Sequence, residues 1–341
     1  DVCSSDLLSS KNRMVNTMMR TVLLEAGTRL QKTGYLLAAP VVKQMASRGQ
    51  FRGIWPLLSS PVTSPDSPPL YRFLPKTRHN QAMIIEPETG TGEVVFYFPG
   101  CGSERVFPRI SMASIFLLLS AGNTVILPPP FMCCAYPFLV NARQGTHDKM
   151  VLENSIILNQ IRDMFQDLTF DACIVSCGTC MESLNRMHTE EIFDAPLIDI
   201  SQYVLARNPD LQLDRNCLYH RPCHDSLHNT ALSVLQQHSL NACVRKVESC
   251  CSEAGTMALS RPDITHSMLK RKTAAIKTAA DQQPITVLTN CPSCLQGLGR
   301  QKPLKVKPVH LAVELARLTG EDNWEKKLKS LLLAGSRGIT F

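Results

Sequence analysis

The chain has 341 residues, 44% hydrophobic and 19% charged, with 36 basic against 29 acidic side chains for a formal charge of +7. That balance excludes a disordered or collagen-like polypeptide and leaves room for two or three domains, each with its own core. The basic excess is spread along the chain, slightly concentrated over 11–80, with no basic block interleaved with aromatics, so no nucleic-acid partner is expected; mild attraction to an anionic membrane surface or an acidic protein is compatible with it.

Residues 1–58 read as helical: Met14–Ala26 and Thr28–Ala46 carry apolar residues at helical spacing with few breakers. Residues 59–92 open with a Pro/Ser-rich run and read as a linker. A start at Asp1 rather than Met suggests a fragment whose natural N-terminal part is missing. No secretory signal opens the chain, which makes the cytoplasm the expected compartment. The longest apolar stretch, Ile110–Leu119, is about half the roughly 20 residues needed to span a bilayer, so no membrane span is expected and any membrane association would be peripheral.

From Glu93 the pattern changes. Val94–Phe98 is a strand-like run ended by Pro99-Gly100-Cys101, Arg109–Ser120 a helix stopped by Gly122-Asn123, and Thr124–Leu127 a strand cut off by three prolines. A helix over Leu152–Phe165 and a strand over Ala172–Val175 follow, the strand delivering Cys177. The same order then recurs. Cys217–His220 leads into Pro222-Cys223, helices fit Thr230–His238 and Ile264–Ala280, and the strand Ile285–Thr289 delivers Cys291. Strands alternating with helices predict an α/β fold with parallel sheets. A repeat near 120 residues predicts two homologous domains related by a pseudo-twofold, over 93–205 and 206–341, preceded by the helical region.

The chain holds fourteen cysteines, far above ordinary usage. Without a signal and with a good core composition, metal or redox chemistry explains them better than disulfides do. Ten fall into the repeat. Unit one has Cys101, the vicinal pair Cys133-Cys134 and Cys177-x-x-Cys180; unit two has Cys223, Cys250-Cys251 and Cys291-x-x-Cys294. Of the remaining four, Cys3, Cys173, Cys217 and Cys243, the residues Cys173 and Cys217 lie in apolar strands and read as small hydrophobes. Thiolates hold iron–sulfur clusters, and ligands gather at the C-terminal ends of parallel strands, so five thiolates per unit predict one or two clusters. A four-thiolate zinc site would use only the C-x-x-C pairs and leave both vicinal pairs idle.

The phrases FPGC (98–101), VSCGTC (175–180), YHRPCH (219–224) and TNCPSC (289–294) resemble the cysteine-rich CCG domain, found twice in one of the subunits of heterodisulfide reductase. Similar tandem domains occur in iron–sulfur subunits of anaerobic glycerol-3-phosphate dehydrogenase and of lactate and glycolate oxidation systems. The resemblance covers residues 94–300. It implies the ten cysteines as ligands of a four-iron cluster, in some units non-cubane, with zinc in others. The tail Val309–Phe341 and the helical lead-in further resemble large fused dehydrogenases, which implies upstream FAD-linked and ferredoxin-like domains as electron donors. The downstream acceptor and any catalytic residue stay unassigned. Two departures stand out. The glycine naming the motif is replaced by Ala135 and Ser252, and unit two has the shorter first interval.

Other residues carry two readings each. His220, His224 and Asp225 flank Cys223, either as surface or loop-capping groups or as hydrogen-bond partners of sulfur. Asn290 and Pro292 shape the turn around Cys291. The basic helix His266–Lys277 is either a solvated face or a docking surface. No G-x-G-x-x-G or P-loop points to a nucleotide site.

Overall fold

Apolar, β-branched runs set the strands. The computed structural model describes residues 69–75, 81–87, 92–130, 132–253, 262–280, 284–301 and 304–340, and the expected helices over 1–58 lie outside these. Unit one contains β1 (Gln81–Ile85), β2 (Val94–Phe98), β3 (Thr124–Leu127), β4 (Ala172–Val175) and β5 (Leu197–Asp199). Unit two contains β6 (Cys217–Tyr219), β7 (Val244–Lys246), β8 (Ile285–Thr289) and β9 (Val306–His310), and β10 (Ser336–Thr340) comes last. The longer helices are α1 (Pro108–Ser120), α2 (Gln144–Met164), α3 (Gly178–Arg186), α4 (Ile200–Arg207), α5 (Ala231–Gln237), α6 (Pro262–Ala279), α7 (Pro292–Gly299), α8 (Leu311–Gly320) and α9 (Trp324–Gly335).

The two sheets repeat one topology. Their strand orders are β10-β1-β3-β2-β4-β5 and β7-β6-β8-β9. The strands β3-β2-β4-β5 are mutually parallel, as are all four of unit two. Numbering each parallel set in chain order gives 2-1-3-4 twice. In this arrangement the crossovers from the first and third strands leave in opposite directions, opening a crevice at the strands' C-terminal ends. One buried apolar cluster spans both units, joining Tyr97, Ile174 and Tyr203 with Tyr219, Leu288 and Leu315.

Two departures from the expected boundaries have simple causes. Residues 81–85 are not linker. The apolar run Ala82–Ile85 is buried and pairs antiparallel with β3 and β10, which makes sheet one mixed at that edge. The tail, assigned by sequence to the second domain, returns to the first. Helix α1 is buried at every position from Ile110 to Leu119, the mark of an all-round apolar helix enclosed by protein. Helices α8 and α9 supply its cover. Trp324 packs on Phe116 with ring centroids 6.0 Å apart, and Arg109 Nε donates to Glu325 Oε1 at 2.9 Å. Among the described residues, no helix is long and apolar enough to cross a membrane.

Candidate metal centre

All ten repeated cysteines follow the first, second or third strand of their unit, at the crevice end. In unit one, β2 runs into Pro99-Gly100-Cys101. Gly100 has φ +70°, and a Cβ there would lie 2.7 Å from Cys180 Sγ, so this turn needs glycine both for its conformation and for room beside the thiol. Strand β3 leads to Cys133-Cys134, and Cys133 Sγ donates to Cys101 Sγ at 3.7 Å. Asn154 of α2 steadies this loop by donating to the Cys133 carbonyl at 2.7 Å. Strand β4 leads to Cys177, which is the extended N-cap of α3 and puts Cys180 in the first helical turn. In unit two, Cys291 is likewise the extended N-cap of α7. Helix N-termini favour thiolate over thiol.

The thiols follow one another as neighbours, each close enough to shift the acidity of the next. Cys101 meets Cys133, Cys133 meets Cys134, Cys134 meets Cys180 and Cys180 meets Cys177. Across the boundary between units Cys177 and Cys291 shift one another's thiols, and Cys291, Cys294, Cys251 and Cys250 continue the series in the same way. Nine of the ten sequence-predicted cysteines thus lie in one row. The tenth, Cys223, is exposed. The neighbouring thiols Cys133 and Cys180 hold the Cys134 thiol well below its ordinary range, and Cys180 and Cys291 do the same for Cys177. Their thiol neighbours push Cys133 and Cys180 well up. A buried row of this kind shares protons between neighbours, and a thiophilic cation would replace those protons. The donor set therefore suits a thiophilic metal, and among the described residues one group of ligand atoms closes to within 4.8 Å, that of His220, Cys251 and Cys294 in unit two.

The cysteines outside the pattern behave otherwise. Cys173 and Cys217 are buried within β4 and β6, where burial pushes Cys217 up to about 12 and Cys173 higher still. Both act as small hydrophobes, as expected. Cys243 is exposed and Cys3 lies outside the described residues.

Contacts between the units come in pairs. A Cβ on Gly178 would lie 1.8 Å from the His224 carbonyl oxygen, and one on Gly102 would lie 3.3 Å from Pro292 Cβ. Gly102 and His224 each follow the first cysteine of their unit, and Gly178 and Pro292 each follow the third-strand cysteine, so these are two copies of one contact. Tyr97 and Tyr219, each four residues before that first cysteine, also play matching parts. Tyr97 Oη shares a hydrogen bond with Ser176 Oγ (3.1 Å), and Tyr219 Oη donates to Asn290 Oδ1 (2.9 Å); Ser176 and Asn290 immediately precede Cys177 and Cys291. Sequence reasoning misses both tyrosines, although the matching YFPGC and YHRPC phrases carry the signal. At the ends of the fourth strands, Asp199 caps α4 and accepts from Ser226 Oγ at 2.5 Å, while His310 caps α8 and its Nε2 donates to the Ser176 carbonyl at 3.0 Å.

The residues flanking Cys223 divide. Asp225 caps its own loop by accepting from the amides of Leu227 and Asn229. His224 bridges the units, with Nδ1 2.6 Å from Glu182 Oε2 and Nε2 3.0 Å from Tyr136 Oη. His220 is fully buried rather than at the surface, because Lys272 of α6 reaches in beside it, with Nζ 2.9 Å from Nδ1. Lys272 itself is wholly buried, although α6 reads as a solvated basic helix.

The CCG cysteine-rich domain model matches residues 95–185 and 217–299, together just over half of the chain. The chain belongs to the CCG cysteine-rich domain family, with two copies. Among similar proteins, a component of the CoM/CoB fumarate reductase of Methanothermobacter marburgensis is 24% identical over 213 residues, covering 60% of this chain and 41% of that protein. A Bacillus subtilis protein described as "Probable glycolate oxidase iron-sulfur subunit" is 25% identical over 66% of this chain and 55% of its own length. Lactate utilization protein A of an Exiguobacterium species is 20% identical over 64% of this chain and 95% of its own. The chain thus spans about half the length of the first two.

Proposed function

We propose that each CCG unit holds an iron–sulfur cluster and that the chain is an electron-transfer module of an oxidoreductase. Cys101, Cys133, Cys134, Cys177 and Cys180 are the candidate ligands in unit one, and Cys223, Cys250, Cys251, Cys291 and Cys294 those in unit two. The observation carrying this reading is the unbroken row of thiols crossing from one unit to the other between Cys177 and Cys291. When bound, iron and sulfide supply one-electron carriers. The chain's own part is to exclude water and hold the ligand loops. Cys134, Cys177, Cys180, Cys251, Cys291 and Cys294 are all buried, and Tyr97, Tyr219, Asn154 and His310 tie down the strand-end loops.

The buried row favours relay over direct reduction of a disulfide substrate, which needs open space beside the vicinal pairs. The named relatives favour a flavin-linked dehydrogenase acting on a 2-hydroxy acid such as lactate or glycolate, with a flavoprotein or ferredoxin-like donor carrying FAD or clusters. Cytoplasmic residence belongs to the same proposal. The test is metal and sulfide analysis of the full chain purified without air. About four irons and matching sulfide per filled unit are expected, with visible absorption that bleaches when lactate or glycolate is added with the partner flavoprotein. Colourless protein with one zinc per unit would instead make this a structural or docking module.

A further inference from the structure

The two units differ in one buried feature that lies against the thiols of unit two. A ring nitrogen of His220 and the Sγ atoms of Cys251 and Cys294 all lie within 4.8 Å of one another. His220 is 2% exposed, its Nδ1 contacts Lys272 Nζ at 2.9 Å, and its Nε2 makes no hydrogen bond. The carbonyls of Val247 (3.2 Å), Glu248 (2.9 Å) and Ser249 (3.0 Å), the three residues before Cys250, also surround Lys272 Nζ and share its three protons with Nδ1. An ammonium is a donor only, so Nδ1 accepts and the ring proton sits on Nε2. A buried N–H without an acceptor costs about 1–3 kcal/mol, so such a group calls for a partner.

Among the described residues, no histidine of unit one groups with two of its thiols in this way. The offset of 122 residues that relates Cys101 to Cys223 puts Phe98 opposite His220, and the offset of 114 that relates Cys177 to Cys291 puts Leu158 opposite Lys272. Both are buried apolar side chains. Two other charged groups near the unit-two thiols, Glu253 and Arg300, face each other as an ion pair and so offset one another.

We propose that the His220–Lys272 pair is a positioning and tuning device for unit two, with His220 Nε2–H donating to metal-bound sulfur and Lys272 holding the ring and a buried positive charge beside it. The proposal rests on the iron–sulfur reading above. Hydrogen bonds to sulfur and nearby positive charge favour the reduced, more negative state of a cluster, so unit two has the higher reduction potential. With clusters bound, that difference would favour transfer of one electron from a reduced unit-one centre, refilled by a reduced flavin or ferredoxin-type donor, to an oxidised unit-two centre held beside His220 and Lys272. No bond is made or broken. The chain gains a direction, with unit two as the accepting end.

The test uses the full chain reconstituted anaerobically with iron and sulfide, with iron content and a spectroscopically followed redox titration as readouts. Cys133→Ser, which disables unit one, identifies the midpoint belonging to unit two. His220→Phe and Lys272→Met are expected to keep the iron and lower the unit-two midpoint alone. His220→Gln, which keeps an N–H at similar reach, is expected to restore much of it. An unmoved midpoint in His220→Phe with full iron overturns the proposal. Loss of one unit's iron in that variant makes His220 a ligand or a structural support and overturns it as well. Parent protein that takes up no iron overturns the iron–sulfur reading itself, a different and separately visible failure.

Discussion

Cys177 and Cys291 occupy equivalent positions in the two units and lie near enough that each shifts the acidity of the other's thiol. Closeness of equivalent residues is what a pseudo-twofold axis passing between them requires, and the paired contacts Gly178–His224 and Gly102–Pro292 flank that axis. The duplication therefore does more than double the site: it brings the third-strand ends of both sheets together.

The tightest of these contacts gives the first prediction. Gly178→Ala would push a Cβ into the His224 carbonyl, a backbone atom that cannot yield as a side-chain tip can. A destabilisation of about 3 kcal/mol or more is expected in denaturant unfolding of the full chain. Gly145→Ala, where a Cβ meets nothing, is the control and is expected to unfold at or above the parent midpoint.

The missing motif glycines give the second. Ala135 has φ 67° and Ser252 φ 73°, so each occupies the left-handed region that glycine enters freely. Ala135→Gly and Ser252→Gly are each expected to stabilise the chain by about 1 kcal/mol, read as a higher unfolding midpoint. A lower midpoint in both variants would mean that the larger side chains make contacts outweighing the strain.

Acid dependence gives the third. Burial holds the Asp199 carboxyl up at about 6, against the hydrogen bonds from Ser226 and Ser201. Its folded value lies above its unfolded one, so the folded chain takes up a proton as pH falls from about 6 to about 4, and a penalty of up to about 3 kcal/mol present at neutral pH disappears. His310 runs the other way. Burial lowers it to about 4, so stability is lost as pH falls from about 6.5 through that value. In the parent these slopes partly cancel. Asp199→Asn is expected to be more stable than the parent at pH 7 and to lose that advantage by pH 4, in unfolding curves recorded across this range.

Strand ends and cysteine order were legible in the sequence because both are local. Val94–Phe98, Thr124–Leu127, Ala172–Val175 and Ile285–Thr289 form strands within the expected bounds, since apolar runs closed by Pro, Gly or Cys need no distant information. What escaped depends on partners far along the chain. Residues 81–85 look like the end of a Pro-rich linker until β3 and β10 pair with them. Lys272 looks solvated on a basic helix until three carbonyls of residues 247–249 and the ring of His220 close around it. His310 looks like the start of a tail until it caps α8 and holds the peptide before Cys177. The closeness of Cys177 and Cys291 follows from the twofold and not from either unit alone.

Two electron carriers side by side across Cys177 and Cys291 would sense each other's spins, which electron paramagnetic resonance of the anaerobically reconstituted full chain reads. With both centres paramagnetic, a spectrum broadened or split by mutual spin interaction is expected, collapsing to a simple single-centre signal in Cys133→Ser. A spectrum that is the plain sum of two isolated signals would rule out neighbouring carriers.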